Sequence, residues 1–216
     1  NTRYEATPFS KIKNTDFVPA INYEIAKSKK LIDKISLNKT NPNFENTIKA
    51  LEFSCLSLDR ISNTFFNLNS AETNDEIQKI AQIISPKLTS FANDITLNEN
   101  LFSRIKKLYN SKDFYQLNNE QKILIKKKYK SFVRNGANLN SSNKNKLRSI
   151  DKKLSLLKLK FGENLLAETN KFRLQIKNKS ELIGLPDYSV DAAKILAKKE
   201  NKPGWLFTLH YQSYIP

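Results

Sequence analysis

Residues 141–169 read SSNKNKLRSIDKKLSLLKLKFGENLLAET, and this stretch decides the fold. Leu147, Ile150, Leu154, Leu157, Phe161 and Leu165 recur at steps of three and four, the period of one helix face. Ser141 or Ser142 is placed to cap the start. At about 1.5 Å per residue such a helix spans roughly 40 Å, so the spacing predicts a spine for the whole fold.

The same period runs upstream. Val18, Ile21, Ile25, Ile32 and Ile35 mark a first helix over 17–36, with Asp16 as its N-cap. Asn41-Pro42-Asn43 is a turn. A second helix over 44–68 carries the seam Phe44, Ile48, Leu51, Cys55, Leu58, Phe65 and Leu68, whose near-heptad spacing implies an antiparallel neighbour. Thr73 or Asn74 caps a third helix, with Asp75 and Glu76 in its first turn where the macrodipole favours carboxylates. Pro86 is expected to kink or split that helix near Ser85. Asn98 caps a short helix bearing Leu101, Ile105 and Leu108. Another helix runs from Asn118 to Asn135 and ends at Gly136 in a left-handed turn.

Beyond Asn170 the texture changes. Phe172 to Ile176 alternates and reads as a strand. Ser180 to Leu185 is a capped turn, Asp187 to Lys199 a helix, and Trp205 to Leu209 a second strand able to pair with the first. The fold class is therefore mainly α: a multi-helix bundle with long antiparallel helices and a small C-terminal α/β appendage of two short strands and a helix.

Composition narrows the chemistry. The chain of 216 residues contains one His and one Cys, so neither an intrachain disulfide nor a centre with two imidazoles can form within it. Cys55 reads as a small buried hydrophobe on its seam, and His210 as a strand-end or surface residue. No Gly-x-Ser-x-Gly elbow accompanies His210. Gly136, Gly162, Gly184 and Gly204 stand too far apart to cradle a phosphate. Glu45 and Glu52, at two-turn spacing, read as a solvated helix edge. The Asn-x-Ser/Thr triplets at Asn38, Asn140 and Asn178 are expected by chance in an Asn-rich chain. No apolar run reaches a membrane span, and the first residues have no apolar core of a secretory signal. The start without Met suggests processing or trimming.

The formal net charge is +16, and it is uneven. Residues 1–100 hold 12 basic and 12 acidic groups, so residues 101–216 hold the other 25 and 9. Lys122 to Lys130 is the densest run. Such a run suits an anionic partner, but a Lys-rich solvated face serves solubility equally well, and Arg, the better phosphate ligand, is absent from the run.

Several segments taken together carry a resemblance. They are Phe44 to Glu52; Arg60 to Leu68, ending Phe65-Phe66-Asn67-Leu68; Ser70 to Gln78; Phe132-Val133-Arg134-Asn135-Gly136-Ala137-Asn138-Leu139; and Leu165-Leu166-Ala167-Glu168-Thr169-Asn170. In order and spacing they resemble the N-terminal region of the bacterial Dcp-type peptidyl-dipeptidases. These form a branch of the thimet-oligopeptidase family of zinc metallopeptidases, with oligopeptidase A and neurolysin. Trp205 to Leu209, Ser213-Tyr214 and Pro216 extend the likeness to the end. The resemblance implies a helical domain over 1–170 and the start of a small α/β segment over 171–216, cut before the catalytic part.

The family's catalytic centre is a His-Glu-x-x-His helix with a downstream Glu, and no such pair stands in this sequence. No catalytic, metal-ligating or substrate-binding residue can therefore be carried over to a position here. The resemblance implies no zinc in this chain but zinc in the parent enzyme, which removes dipeptides from the C-termini of oligopeptides. It implies the C-terminal catalytic domain of the same polypeptide as partner and a channel-wall role for this chain. Surfaces that pack on that domain, the outward faces of 142–169 and of 172–209, are expected to be apolar and exposed. The expected compartment is the cytoplasm, with the periplasm as the alternative. The rival functions are a basic helical nucleic-acid-binding module using Lys122 to Lys160 and a protein adaptor.

Overall fold

A computed structural model describes residues 6–215. The chain divides into two compact units, the first ending at Leu157 and the second beginning at Lys158.

The first unit is helical. Helix α1 spans Phe17–Ser36 and buries Phe17, Ile21, Ile32 and Ile35. Asp16 does not cap it: its backbone is already helical and its carboxylate accepts from the Lys13 amide at 2.9 Å. It closes instead a 3-10 turn over Asn14–Asp16 that leads into α1.

The expected second helix is broken in two. A π-helical turn, Phe44–Lys49, opens into α2, Ala50–Phe53, and after a break α3 follows over Leu56–Ala71. The break lies at Ser54-Cys55. Ser54 Oγ donates to the Leu51 carbonyl at 2.7 Å, and the Ser54 amide donates to the same oxygen at 3.1 Å. That carbonyl is then consumed one residue early, and the α-helical ladder cannot continue. Cys55 is half-buried at this break rather than part of the core.

Asn74 caps α4, Asp75–Thr96, by accepting from the Ile77 amide at 3.0 Å. Pro86 does not split α4, which runs through it unbroken. A proline costs one ladder hydrogen bond while its fixed φ suits the helix, and Ile84 and Phe91 are buried on either side of it. Asn98 caps α5, Glu99–Tyr109, and Asn118 caps α6, Asn119–Arg134. Gly136 has φ +93°. The Gly136 amide donates to Val133 O and the Ala137 amide to Phe132 O, a Schellman stop that satisfies the last carbonyls of α6.

The core lies where α1, α2, α5 and α6 meet, around Ile48, Leu101, Ile105 and Ile125. An aromatic stack joins α5 to α6: Phe102 lies 5.8 Å from Tyr129 and 6.2 Å from Phe132, and Tyr109 lies 4.4 Å from Tyr129, all nearly parallel. Phe17 and Phe65 meet edge to face at 5.0 Å and tie α1 to α3.

Helix α7 spans Ser141–Lys171. Asn140 caps it in place of Ser141 or Ser142, accepting from the Asn143 amide at 2.9 Å. The only residue it buries is Lys144, so its seam is not the spine of a core. Lys144 Nζ lies 2.7 Å from Glu99 Oε1 at the start of α5. That hydrogen bond and the lysine charge hold the Glu99 carboxyl below its usual 4.5. A lowered folded pKa gives stability that is present above 4.5 and lost as pH falls below it through the folded value. The stability difference between the wild type and Glu99→Gln is therefore expected to shrink as urea unfolding is repeated at successively lower pH. A difference that grows on acidification would contradict the pairing.

The second unit holds strands β1, Leu174–Ile176, and β2, Trp205–Phe207. They pair antiparallel in the register Leu174 to Phe207, Gln175 to Leu206 and Ile176 to Trp205. Both are shorter than the alternation suggests. Arg173 Nη1 donates to the carbonyls of Asn170 and Phe172, which keeps that stretch at the exit of α7. The Thr208 amide donates to Ser213 Oγ at 2.9 Å, which takes it out of the ladder. A 3-10 turn over Lys179–Leu182 precedes α8, Asp187–Lys199, whose Ala193 and Ala197 are buried. Asn201, at φ 54°, stops α8 in a second Schellman turn, with the Lys202 amide on Ala197 O at 2.8 Å. A short α9, Tyr211–Tyr214, follows β2.

Candidate functional site

His210 is exposed at the start of α9, where its carbonyl accepts from the Ser213 and Tyr214 amides. Asp75 and Glu76 occupy the first turn of α4, and Glu76 accepts from Asn14 Nδ2 at 2.7 Å. Glu45 pairs with Lys49 at 2.7 Å and Glu52 with Lys128 at 2.5 Å. Glu76, Glu45 and Glu52 are thus engaged in side-chain contacts, and Asp75 stands in the first turn of α4. Among the described residues, no group of three or more His, Cys, Asp or Glu stands together as a metal site. The residues present do not fit a zinc ion.

The Lys122 to Lys130 run does not form one cationic face. Lys128 is bound to Glu52, and Lys126 Nζ lies 5.8 Å from the centre of the Phe114 ring. Lys126, Lys127 and Lys130 are exposed, whereas Lys122 and Lys128 are half-covered.

Sequence reasoning missed Arg104, because its partners lie 57 to 66 residues away. One Nη donates to the carbonyls of Asn38 and Thr40, the other to Asn46 Oδ1 and Thr47 Oγ1. Burial lowers its pKa. Arg104 thereby fastens the polar 38–47 connection onto α5. It is a fastening within the unit and faces no open cleft.

Open surface lies elsewhere. In the first unit a cleft of about 780 Å³ is lined by Pro8, Ile12, Phe17, Arg60 and Ile61, but Asp16 at its edge is already engaged by the Lys13 amide. In the second unit Leu174, Ile176, Phe207 and Tyr214 line an apolar pocket of about 290 Å³. Ser189 in that pocket is buried, and its hydroxyl has no hydrogen-bond partner among the described residues. Helix α7 adds exposed apolar residues. Ile150, Leu154, Leu157, Phe161 and Leu165 share one face, with Leu157 63% and Phe161 71% exposed. A face of this kind on a helix is normally turned to a partner.

The chain is similar to known peptidases. The chain is 32% identical over 95% of its length to dipeptidyl carboxypeptidase of Escherichia coli (strain K12), covering 30% of that protein. It is 30% identical over 95% of its length to the dipeptidyl carboxypeptidase of Salmonella typhimurium, again covering 30%. Oligopeptidase A of Haemophilus influenzae is 28% identical over 97% of the chain, with 30% of that protein covered. The chain resembles the N-terminal region of the thimet-oligopeptidase-type peptidases. It spans about 30% of the length of the curated relatives it matches. No protein-family model matches the chain. Among the described residues, no helix is long and apolar enough to cross a membrane.

Proposed function

We propose that this chain is the non-catalytic N-terminal helical domain of a zinc-dependent peptidyl-dipeptidase, in which it forms a wall of the substrate channel. The observation that carries the proposal is the match itself: 95% of this chain aligns with 30% of a dipeptidyl carboxypeptidase. The division proposed is a helical domain over 1–170 and the first part of a small α/β segment over 171–216. The zinc, its ligands and the general base would all come from polypeptide outside this chain, a reading supported by the lack of a metal-ligating group among the described residues. The parent enzyme would release dipeptides from the C-termini of oligopeptides. This chain would contribute shape, limiting entry to short unfolded peptides.

The test compares the full-length gene product with residues 1–216 alone, using an N-acylated tetrapeptide. The full-length product is expected to release the C-terminal dipeptide, to lose this activity to a chelator and to regain it with zinc. The 216-residue chain is expected to bind no zinc and cleave nothing. Chelator-sensitive cleavage by the short chain, or an inert full-length product, would overturn the proposal.

A further inference from the structure

Helix α3 carries a guanidinium that holds nothing. Arg60 is exposed there, and its guanidinium has neither a hydrogen-bond acceptor nor a carboxylate within ion-pair distance among the described residues. It lines the cleft of about 780 Å³ in the first unit, a size within the range of small-molecule sites. Pro8, Ile12, Phe17, Ala20 and Ile61 give that cleft an apolar wall. The other charged residue lining it is Asp16. The Lys13 amide engages Asp16 Oδ2 at 2.9 Å, and a carboxylate has a second oxygen to offer. Arg60 and Asp16 do not pair with each other. One cleft thus presents a cation and an anion, set apart, beside apolar surface.

We infer that this cleft binds a free amino acid with a large apolar side chain. The planar fork of Arg60 suits the α-carboxylate, which it can hold through two parallel hydrogen bonds. Asp16 Oδ1 suits the α-ammonium, and the apolar wall takes the side chain. A ligand of one sign would meet a like charge on one side, so complementarity selects a zwitterion. The spacing of the two charges is set by the fold. Phe17, directly after Asp16, is buried and meets Phe65 of α3 edge to face at 5.0 Å. Helices in such contact have axes about 8–10 Å apart. The two charges therefore face each other across a short gap, which suits the ammonium and carboxylate of one residue better than the distant ends of a long peptide. A site fixed in advance also binds at lower ordering cost. Binding here needs no hydrolysis, so its test is independent of the peptidase reading.

The experiment is a calorimetric titration of the 216-residue chain with L-leucine. The same titration is run with leucinamide, N-acetyl-leucine, glycine and leucyl-leucine. L-Leucine is expected to bind with a dissociation constant on the order of 1 mM, the affinity open to so small a ligand. Leucinamide, which lacks the carboxylate, and N-acetyl-leucine, which lacks the ammonium, are each expected to bind about tenfold more weakly or worse. Glycine, without the side chain, is expected not to bind. Two variants assign the contacts, with circular dichroism confirming that each folds. Arg60→Gln is expected to bind leucine and leucinamide alike. Asp16→Asn keeps an oxygen for the Lys13 amide and is expected to bind leucine and N-acetyl-leucine alike. No heat of binding from L-leucine overturns the inference. So does equal binding of leucine and its two blocked forms by the wild type, which would make the cleft merely apolar. So does selectivity that survives in folded Arg60→Gln. Leucyl-leucine binding about tenfold tighter than leucine would give the cleft to peptides and likewise overturn the assignment.

Discussion

Arg104→Ala is expected to lower the stability of the helical unit by about 2–3 kcal/mol, the order of the hydrogen bonds made by one buried charged donor. The side chain is buried, and its guanidinium holds four acceptors contributed by Asn38, Thr40, Asn46 and Thr47. Hydrogen bonds to a charged donor contribute about 1.5–3 kcal/mol each when isolated, and members of one network do not add. Alanine leaves the Asn38 and Thr40 carbonyls without their donor. The consequence extends beyond the loop, because Asn46 also caps the π-helical turn: the Asn43 amide donates to its Oδ1 at 2.9 Å, and the Asn46 amide to Asn43 Oδ1 at 2.8 Å. Loosening the 38–47 connection therefore loosens the entry to α2, where Ile48 and Leu51 join the core. Lysine cannot substitute, since one ammonium lacks the fork that spans two carbonyls and two side chains. Urea unfolding followed by far-ultraviolet circular dichroism measures the effect. Arg104→Lys is expected to recover less than half of the loss. A loss below about 1 kcal/mol for Arg104→Ala, the worth of one ordinary hydrogen bond, would show that the connection holds itself.

What could be read in the sequence was what repeats locally. The bounds of α1, Phe17–Ser36, and of α8, Asp187–Lys199, follow from periodicity because each is one amphipathic run with a clear start and stop. The caps at Asn74, read as Thr73 or Asn74, and at Asn98 follow from short-range chemistry, as does the left-handed Gly136. The break at Ser54-Cys55 is hidden because the apolar spacing runs straight through it, while a single serine hydroxyl ends the ladder. Arg104 and Lys144 look like any surface cation. Their partners lie 45 to 66 residues away, and a period of 3.6 carries no such information.

The long helix shows the same limit from the other side. Its stripe from Ile150 to Leu165 was legible as a helix face. Periodicity states that a face must be covered without stating by what, so a spine of this chain's own core and a surface for another part of the protein look alike. The site was less legible still. Among the described residues no metal-ligating group stands together, and it is the ordered run of matching segments that connects the chain to peptidases.

Gly204→Ala is expected to destabilise the strand pair of the second unit by about 2–5 kcal/mol. Two costs combine. Gly204 has φ +86°, and a residue with a Cβ in the left-handed region carries roughly 1–2 kcal/mol. A Cβ built there would also stand 2.2 Å from Ile176 O and 3.1 Å from Lys177 Cα. Both are backbone atoms of the partner strand's end, so no side-chain rotation relieves the clash, and overpacking of this kind costs about 1–3 kcal/mol. The pairing of Ile176 with Trp205 must open or shift. A two-stranded ladder has little stability of its own, and its covering helix is held through the buried Leu206, Ala193 and Ala197. Trp205 is the chain's one tryptophan and sits next to Gly204, so its fluorescence reports this site alone. The expected result is a red-shifted Trp205 emission and an early Trp205 unfolding transition in Gly204→Ala, while Gly184→Ala gives a smaller loss. Gly184 shares the positive φ of 93° but has nothing within 4 Å of its Cβ position, so it isolates the backbone cost from the clash. Equal losses at the two glycines would show that conformation alone, and not the close approach of the two strands, requires Gly204.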